Sequence, residues 1–262
     1  MRVLVIDIGG SNVKVSTNGL RVPLKIPSGP DMTPRRMAAE VKKATRDWSC
    51  EVVSIGYPGP VANNHPAKEP SNLAAGWVRF DYRKAFGKPV KIMNDAAMQA
   101  LGSYQGGRML FLGLGTGLGS AFMTHRGAVE PLELAHLPYR DGKSYEDFAG
   151  ERGLKRLGAK RWTKHVHRIV ELLQFGLQAD YVMLGGGQTK KLKRLPVGAR
   201  LGNNGHAIRG GLRLWDGSDP QRQWRPPHPV QGRRFARPAR SAPAKRSPRS
   251  SPATRSARKV RA

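Results

Sequence analysis

Val3-Leu4-Val5-Ile6-Asp7-Ile8-Gly9-Gly10-Ser11-Asn12-Val13-Lys14-Val15-Ser16 opens with a nearly continuous apolar strand, Val3 to Ile8, stops at two glycines, and resumes an extended pattern from Val13 to Ser16. A strand, a glycine-rich turn and a returning strand predict a hairpin. Met109 to Leu114 and Leu118 to Met123, joined across Gly115-Thr116-Gly117, repeat it in kind. Around them lie helical signals. Thr33-Pro34 starts a helix with Pro34 at the first helical position, and Met37, Val41, Ala44 and Trp48 follow at helical spacing. Val52 to Ile55 is a strand ending in Gly56-Tyr57-Pro58-Gly59-Pro60. Val90 to Met93 is another, running into Asn94-Asp95 and a helix over Ala96 to Tyr104. Basic helical stretches fill Arg152 to Leu177, and a strand over Tyr181 to Leu184 ends in Gly185-Gly186-Gly187. Ala207 to Trp215 reads as a closing helix weakened by Gly210-Gly211. The alternation predicts an α/β protein.

The length of 262 residues suits one large domain or two lobes. Lys and Arg number 46 against 18 Asp and Glu, a net +28. Of that, residues 216–262 hold 13 basic residues and only Asp216 and Asp219, a net +11 that leaves +17 for residues 1–215. With eight prolines, and with Val230, Phe235 and Val260 as its only large aliphatic or Phe residues, this stretch has too little apolar surface to fold. It is expected to be a disordered basic tail: a solvated extension, a polyanion- or nucleic-acid-binding arm, or a reading-frame extension from GC-rich codons. The single cysteine, Cys50, excludes a disulfide framework and any cysteine-clustered metal site within one chain. No apolar run approaches the roughly 18–20 residues of a membrane helix, and Met1-Arg2 leads directly into a strand pattern. A cytoplasmic protein is expected.

Both hairpins carry a hydroxyl residue at the tip, Ser11 and Thr116. Glycines let the backbone approach a phosphate and aim N–H groups at it, although a plain tight turn explains either loop alone. Other phosphate loops do not fit. Gly142-Lys143-Ser144 has Leu137 where the first P-loop glycine belongs, and Gly113 to Gly119 misses the dinucleotide spacing. Asp7, immediately before the glycines' turn, can hold a magnesium ion through water or simply bond to its own turn. Asp95 can cap a helix or present a carboxylate at the C-terminal end of a strand, where α/β crevices bind ligands. Glu133 and His136, three apart, are a structural pair unless other groups join them.

Asp7-Ile-Gly-Gly-Ser-Asn-Val-Lys14, Gly56-Tyr-Pro-Gly-Pro60, Asn72-Leu-Ala-Ala-Gly-Trp77, Asn94-Asp-Ala96, Leu112 to Ser120, Glu133-Leu-Ala-His136 and Leu184-Gly-Gly-Gly187 stand in the order seen in ROK family sugar kinases. Over about residues 2–215 the chain resembles that family, most nearly its shorter branch, which includes polyphosphate glucokinases. The resemblance implies an actin-like, ribonuclease H-like two-lobed fold. The N-terminal lobe would be 1–106, with the first phosphate loop and the catalytic Asp, and the C-terminal lobe 107–215, with the second loop and the sugar-binding Glu and His. Residues 216–262 would be the tail.

By matching motif, the resemblance implies that Asp95 is the general base for the sugar 6-hydroxyl, a role typically worth about 10²–10⁴ in rate. Asn72, Asn94, Asp95, Glu133, His136 and Glu146 would hold the sugar. Asp7, Gly9, Gly10, Ser11 and Lys14 would form the first donor loop and Gly115, Thr116 and Gly117 the second, with Gly185, Gly186 and Gly187 near the donor. Asp7 would carry Mg²⁺ through water. The chain departs from the family in several ways. Leu137 to Tyr145 contains none of the family's three zinc-binding cysteines, so no zinc site is expected, and Ala135 replaces the usual glycine. The domain is short for the family and peripheral helices are missing, which tells against any homodimer interface taken over from the resemblance. The strand pattern begins at residue 2, which argues against the repressor branch with its N-terminal helix-turn-helix.

The expected activity is a glucokinase using polyphosphate, ATP or both. An ATP-dependent kinase for another hexose is the alternative, and a non-catalytic sugar sensor or nucleic-acid-binding protein a third, with nucleic acid engaged through the tail only. The donor argument rests on charge. Lys155-Arg156, Lys160-Arg161, Lys164, His165, His167, Arg168 and Lys190 to Arg194 form clusters that suit a linear polyanion, a solvated basic face or a nucleic-acid surface.

Overall fold

The computed structural model describes residues 1–20, 22–203 and 205–216; the expected tail, past Asp216, lies outside the described residues. The chain opens with β1 (Val3–Ile8), β2 (Asn12–Thr17), β3 (Leu24–Pro27), α1 (Pro34–Ala44) and β4 (Val52–Tyr57). It continues with β5 (Val61–Ala62), β6 (His65–Pro66), α2 (Tyr82–Phe86), β7 (Val90–Asn94) and α3 (Asp95–Ser103). These strands form a sheet in the order β3-β2-β1-β4-β7, with β5 and β6 a separate small hairpin. The β1–β2 and β2–β3 pairs are antiparallel, and β1–β4 and β4–β7 are parallel.

Next come β8 (Met109–Leu114), β9 (Leu118–Met123), β10 (Val129–Leu132), the short hairpin β11 (Pro138–Arg140) and β12 (Lys143–Ser144), and α4 (Tyr145–Ala149). The described chain ends with α5 (Glu151–Gly176), β13 (Tyr181–Gly185), β14 (Ala199–Leu201) and α6 (His206–Arg213). The second sheet runs β10-β9-β8-β13-β14, again two antiparallel pairs followed by two parallel ones. Each predicted hairpin is thus the first pair of strands in a sheet, and the two sheets share one strand order.

Strand alternation sorts the faces. Leu4, Ile6 and Ile8 pack with Met37 and Val41 of α1 and with Trp77 and Tyr82, whereas Val3 and Val5 pack with Met98 of α3 and Ala207 and Ile208 of α6. Asp7 is next in the Val3–Val5 series, so it projects to the side of α3. In the second sheet Leu110 and Leu112 face Trp162, Val166 and Ile169 of α5, while Met109 and Phe111 face Ala97 and Ala100 of α3. α3 therefore packs against both sheets.

Thr33 Oγ1 accepts from Arg36 N at 3.2 Å, and Pro34 fills the first turn of α1, as the sequence predicts. The helix stops at Ala44, a turn short of Trp48, where the Thr45 hydroxyl bonds back to the Val41 carbonyl at 2.8 Å. α5 is broken once, at Gly158 (φ 71°, ψ 158°). Gly210-Gly211 does not prevent α6. A Cβ on Gly210 would fall on the Met98 carbonyl oxygen, one on Gly102 on the His206 carbonyl oxygen, and one on Gly211 on Val5. The glycines that lower helix propensity are what allow α3 and α6 to touch backbone to backbone.

Candidate functional site

The Asp7 side chain is buried and pairs with Lys14 Nζ at 2.9 Å. The turn between β1 and β2 is braced from two sides. Gly9 N donates to Asn12 O at 3.0 Å, and Ser28 Oγ donates to Gly9 O at 2.6 Å. Gly10 and Ser11 are exposed at its tip. A Cβ on Gly10 would come within 3.5 Å of Asn72 Cβ, so Asn72 stands beside this loop.

Asp95 is the first residue of α3. Asn94 caps the helix, with Oδ1 accepting from Ala97 N at 3.0 Å and Nδ2 donating to Gly59 O at 3.1 Å, so the glycine-proline turn after β4 is tied to the same point. Asp95 Oδ1 accepts from Ala96 N at 2.8 Å. Burial raises the Asp95 pKa, and the Asp7 carboxylate raises it further. Backbone N–H groups and Lys14 pull it back, leaving it at about 7. A carboxylate with that pKa can accept a proton near neutrality. Opposite Asp7 in the register of β4 lies Gly56, where a Cβ would come within 3.5 Å of Asp7 Oδ1 and strike the methyl of Met98.

The donor set suits a hydrated Mg²⁺. One Asp7 oxygen is paired with Lys14, and among the described residues no group of three His, Cys, Asp or Glu is placed to hold a metal. A single carboxylate with waters and phosphate oxygens is how Mg²⁺ is usually bound.

The second loop has its own supports. Gly115 N donates to Gly117 O at 3.1 Å, Glu151 N, at the start of α5, donates to Gly115 O at 3.1 Å, and Thr116 is exposed at the tip. Glu146 Oε2 accepts from Leu118 N at 3.2 Å, and its carboxylate fills the space a Cβ on Gly117 would need. Glu146 thus lies against the second loop, with Arg152 3.7 Å from it. Gly186 has φ 86°, and a Cβ there would meet the Leu114 carbonyl, which brings the Gly185–Gly187 turn beside the same loop.

Glu133 and His136 are both exposed, with Oε2 and Nε2 3.8 Å apart. Glu133 occupies the N-cap position of a 3₁₀ turn over Leu134–His136, and His136 is its last residue. Ser120 anchors this segment, donating to Leu132 O at 2.7 Å and accepting from Leu134 N at 3.2 Å. The structure thus gathers Asp7, Lys14, Asn94 and Asp95 around the first loop and Glu146 and the Gly185–Gly187 turn around the second, and leaves Glu133 and His136 open. Sequence reasoning missed Ser28, Ser120 and Arg152. No spacing rule marks them, because Ser28 and Ser120 act on backbone and the six-residue offset of Arg152 from Glu146 matches no helical or strand period.

No family model matches the chain. It is 26% identical to the polyphosphate glucokinase of Mycobacterium leprae over 212 residues, an alignment covering 72% of this chain and 64% of that protein. The chain therefore spans under two thirds of that relative's length. Its structure matches the inorganic polyphosphate/ATP-glucomannokinase of Arthrobacter sp. strain KM with a TM-score of 0.70, at 24% identity and covering 81% of this chain and 97% of that one. It matches a ROK family glucokinase from Streptomyces griseus, solved with glucose and AMPPNP, with a TM-score of 0.65, at 16% identity and covering 82% and 99%. The fold is that of the ROK, actin-like sugar kinases. In sequence the chain is similar to polyphosphate glucokinases.

Proposed function

We propose that the protein is a cytoplasmic glucokinase that transfers the terminal phosphoryl group of inorganic polyphosphate, or of ATP, to the 6-hydroxyl of glucose. The observation that carries this is Asp95. It is a carboxylate held at the start of α3 beside Asp7 and the first glycine hairpin, with its pKa at about 7. No described helix is long and apolar enough to cross a membrane.

In this reading residues 1–106 and 107–215 are the two lobes of the enzyme. Asn72, Asn94, Glu133, His136 and Glu146 orient the sugar. The Asp95 carboxylate takes the proton of the 6-hydroxyl as its oxygen forms a bond to the terminal phosphorus. The bond from that phosphorus to the rest of the donor breaks, leaving a chain one phosphate shorter, or ADP. Positioning supplies most of the rate in such in-line transfers. The Gly9 and Gly115 N–H groups close their own turns, so in this reading the exposed tips, Gly10 and Ser11 in the first loop and Thr116 in the second, meet the donor phosphates, with Gly9, Gly115 and Gly117 shaping the loops. Asp7 would hold Mg²⁺, which neutralises charge on the transferred group when bound. Lys14 pairs with Asp7 at 2.9 Å.

Polyphosphate is favoured by the surface next to the Gly185–Gly187 turn. Lys190, Lys191, Lys193 and Arg194 are exposed, and no ion pair among the described residues involves them. His167 Nε2 lies 3.1 Å from Arg194 O and ties this turn to the basic face of α5. A linear polyanion gains from such a track by counterion release, whereas ATP needs only a few cations. The test is glucose 6-phosphate formation by the purified protein with Mg²⁺ and either donor, across a salt series. Turnover with polyphosphate that falls steeply with salt is expected. Turnover with ATP alone, insensitive to salt, would remove the polyphosphate assignment.

A further inference from the structure

Between the β5–β6 hairpin and α2 the chain crosses residues 67–81, the segment that carries Asn72. Its buried anchors are Leu73 and Trp77, and Trp77 Nε1 donates to Ala74 O at 2.6 Å. Tyr57 Oη donates to Lys68 O at 2.8 Å, and Tyr82 Oη donates to Trp77 O at 3.0 Å. These contacts fix both ends of the loop against the core. They do not close it.

Closure comes from an exposed acid. Glu69 Oε2 accepts from Gly76 N and Trp77 N, both at 3.0 Å, and Oε1 accepts from Val78 N at 3.2 Å. Three consecutive N–H groups point into one carboxylate, and Gly76 supplies the positive φ of 105° that turns them the same way. The Glu69 side chain is exposed and belongs to none of the apolar clusters. Its acceptors all go to shutting the loop around Ser71–Ala75, the stretch that sets Asn72 beside Gly10. Charge-assisted bonds of this kind are about twice as strong as neutral ones.

We infer that Glu69 is a positioning residue for the sugar site: its carboxylate, clamped on the Gly76, Trp77 and Val78 amides, holds the Asn72 loop in the shape that binds the acceptor. This rests on the glucokinase reading for the identity of the ligand, while the clamp itself is independent of it.

The experiment uses the full chain with Glu69→Gln, Glu69→Ala and Glu69→Asp. Gln keeps one acceptor oxygen but turns an NH₂ toward the amides, and Asp keeps the charge on a stem one methylene shorter. Two readouts are taken: hydrogen exchange at the amides of 76–78, and KM for glucose and donor with kcat. Faster exchange in Gln and Ala is expected, together with a rise in glucose KM of about tenfold or more, since small misplacements at a site cost factors of this order. Donor KM should stay unchanged and kcat within a few-fold, with Asp intermediate. Should Ala not fold, Gln carries the test. Faster exchange with unchanged glucose KM would overturn the positioning role and leave Glu69 a loop cap. Unchanged exchange would overturn the clamp. A wild-type protein that binds and phosphorylates no sugar would overturn the glucokinase reading and with it the role in acceptor binding, while the exchange readout still reports on the clamp.

Discussion

Asp7 and Lys14 stand directly opposite one another in the β1–β2 register, and Lys14 Nζ lies 2.9 Å from Asp7 Oδ2. The glycine turn between them fixes that register, so the pair is a consequence of hairpin geometry. Its influence reaches Asp95, whose pKa is raised by burial and by Asp7 and lowered by Lys14.

If Asp95 is the base, the kcat/KM of the free enzyme for glucose rises with pH through about 7 and then levels. Lys14→Met removes one of the groups favouring the charged form, so the midpoint of that limb should move to higher pH. A pH profile of both proteins checks this, and a limb that stays in place would show that Asp95 does not set it.

Asp95→Asn separates chemistry from stability. Glucose phosphorylation should fall by about 10²–10⁴ while glucose binding, read by calorimetry, survives. The folded-state pKa of Asp95 lies above its ordinary value of 3.8, so the folded protein binds the extra proton between about 4 and 7. Stability is therefore lost as pH rises through that window. The neutral amide escapes the loss, so the Asp95→Asn variant should melt a few degrees higher than wild type at pH 8 and at a similar temperature near pH 4. Equal melting temperatures at pH 8 would refute the buried-charge account.

Much of this architecture is legible in the sequence because local signals agree. The two glycine hairpins, the Thr33-Pro34 helix start and the Val90 strand running into Asn94-Asp95 each combine turn chemistry with periodicity, and each forms. The less legible parts depend on contacts remote in sequence. α6 is weak on propensity, and only the fold shows that Gly210 meets Met98 of α3. Glu146 matches a motif, but its contact with Leu118 N depends on how α4 docks. Glu69 has no motif at all, since its partners are three backbone N–H groups and backbone leaves no mark in composition.

The α3–α6 contact makes a stability prediction. Gly210→Ala would put a methyl into the Met98 carbonyl, backbone against backbone, with no flexible side chain to yield. The usual helix preference for Ala over Gly, about 1 kcal/mol, should be reversed, and unfolding should cost about 1–3 kcal/mol less than in wild type. Denaturant melts check it. A Gly210→Ala variant more stable than wild type would mean that the helices separate at no cost.

The basic turn after β13 makes the last. Replacing Lys190, Lys191, Lys193 and Arg194 together by Ala removes four exposed cations while sparing the His167 contact, which uses the Arg194 carbonyl. If they guide a polyanion, polyphosphate KM should rise about tenfold or more at low ionic strength, and the dependence of log(kcat/KM) on log[salt] should flatten. With ATP the change should be much smaller, since a triphosphate carries few charges for the cluster to hold. At high salt the variant and wild type should converge, because exposed charges are screened within about 3 Å at 1 M. Steady-state kinetics with each donor at several salt concentrations decide it. An equal loss with ATP and polyphosphate would mean that the four residues support the donor site itself, and no loss with either would leave the cluster a solvated face.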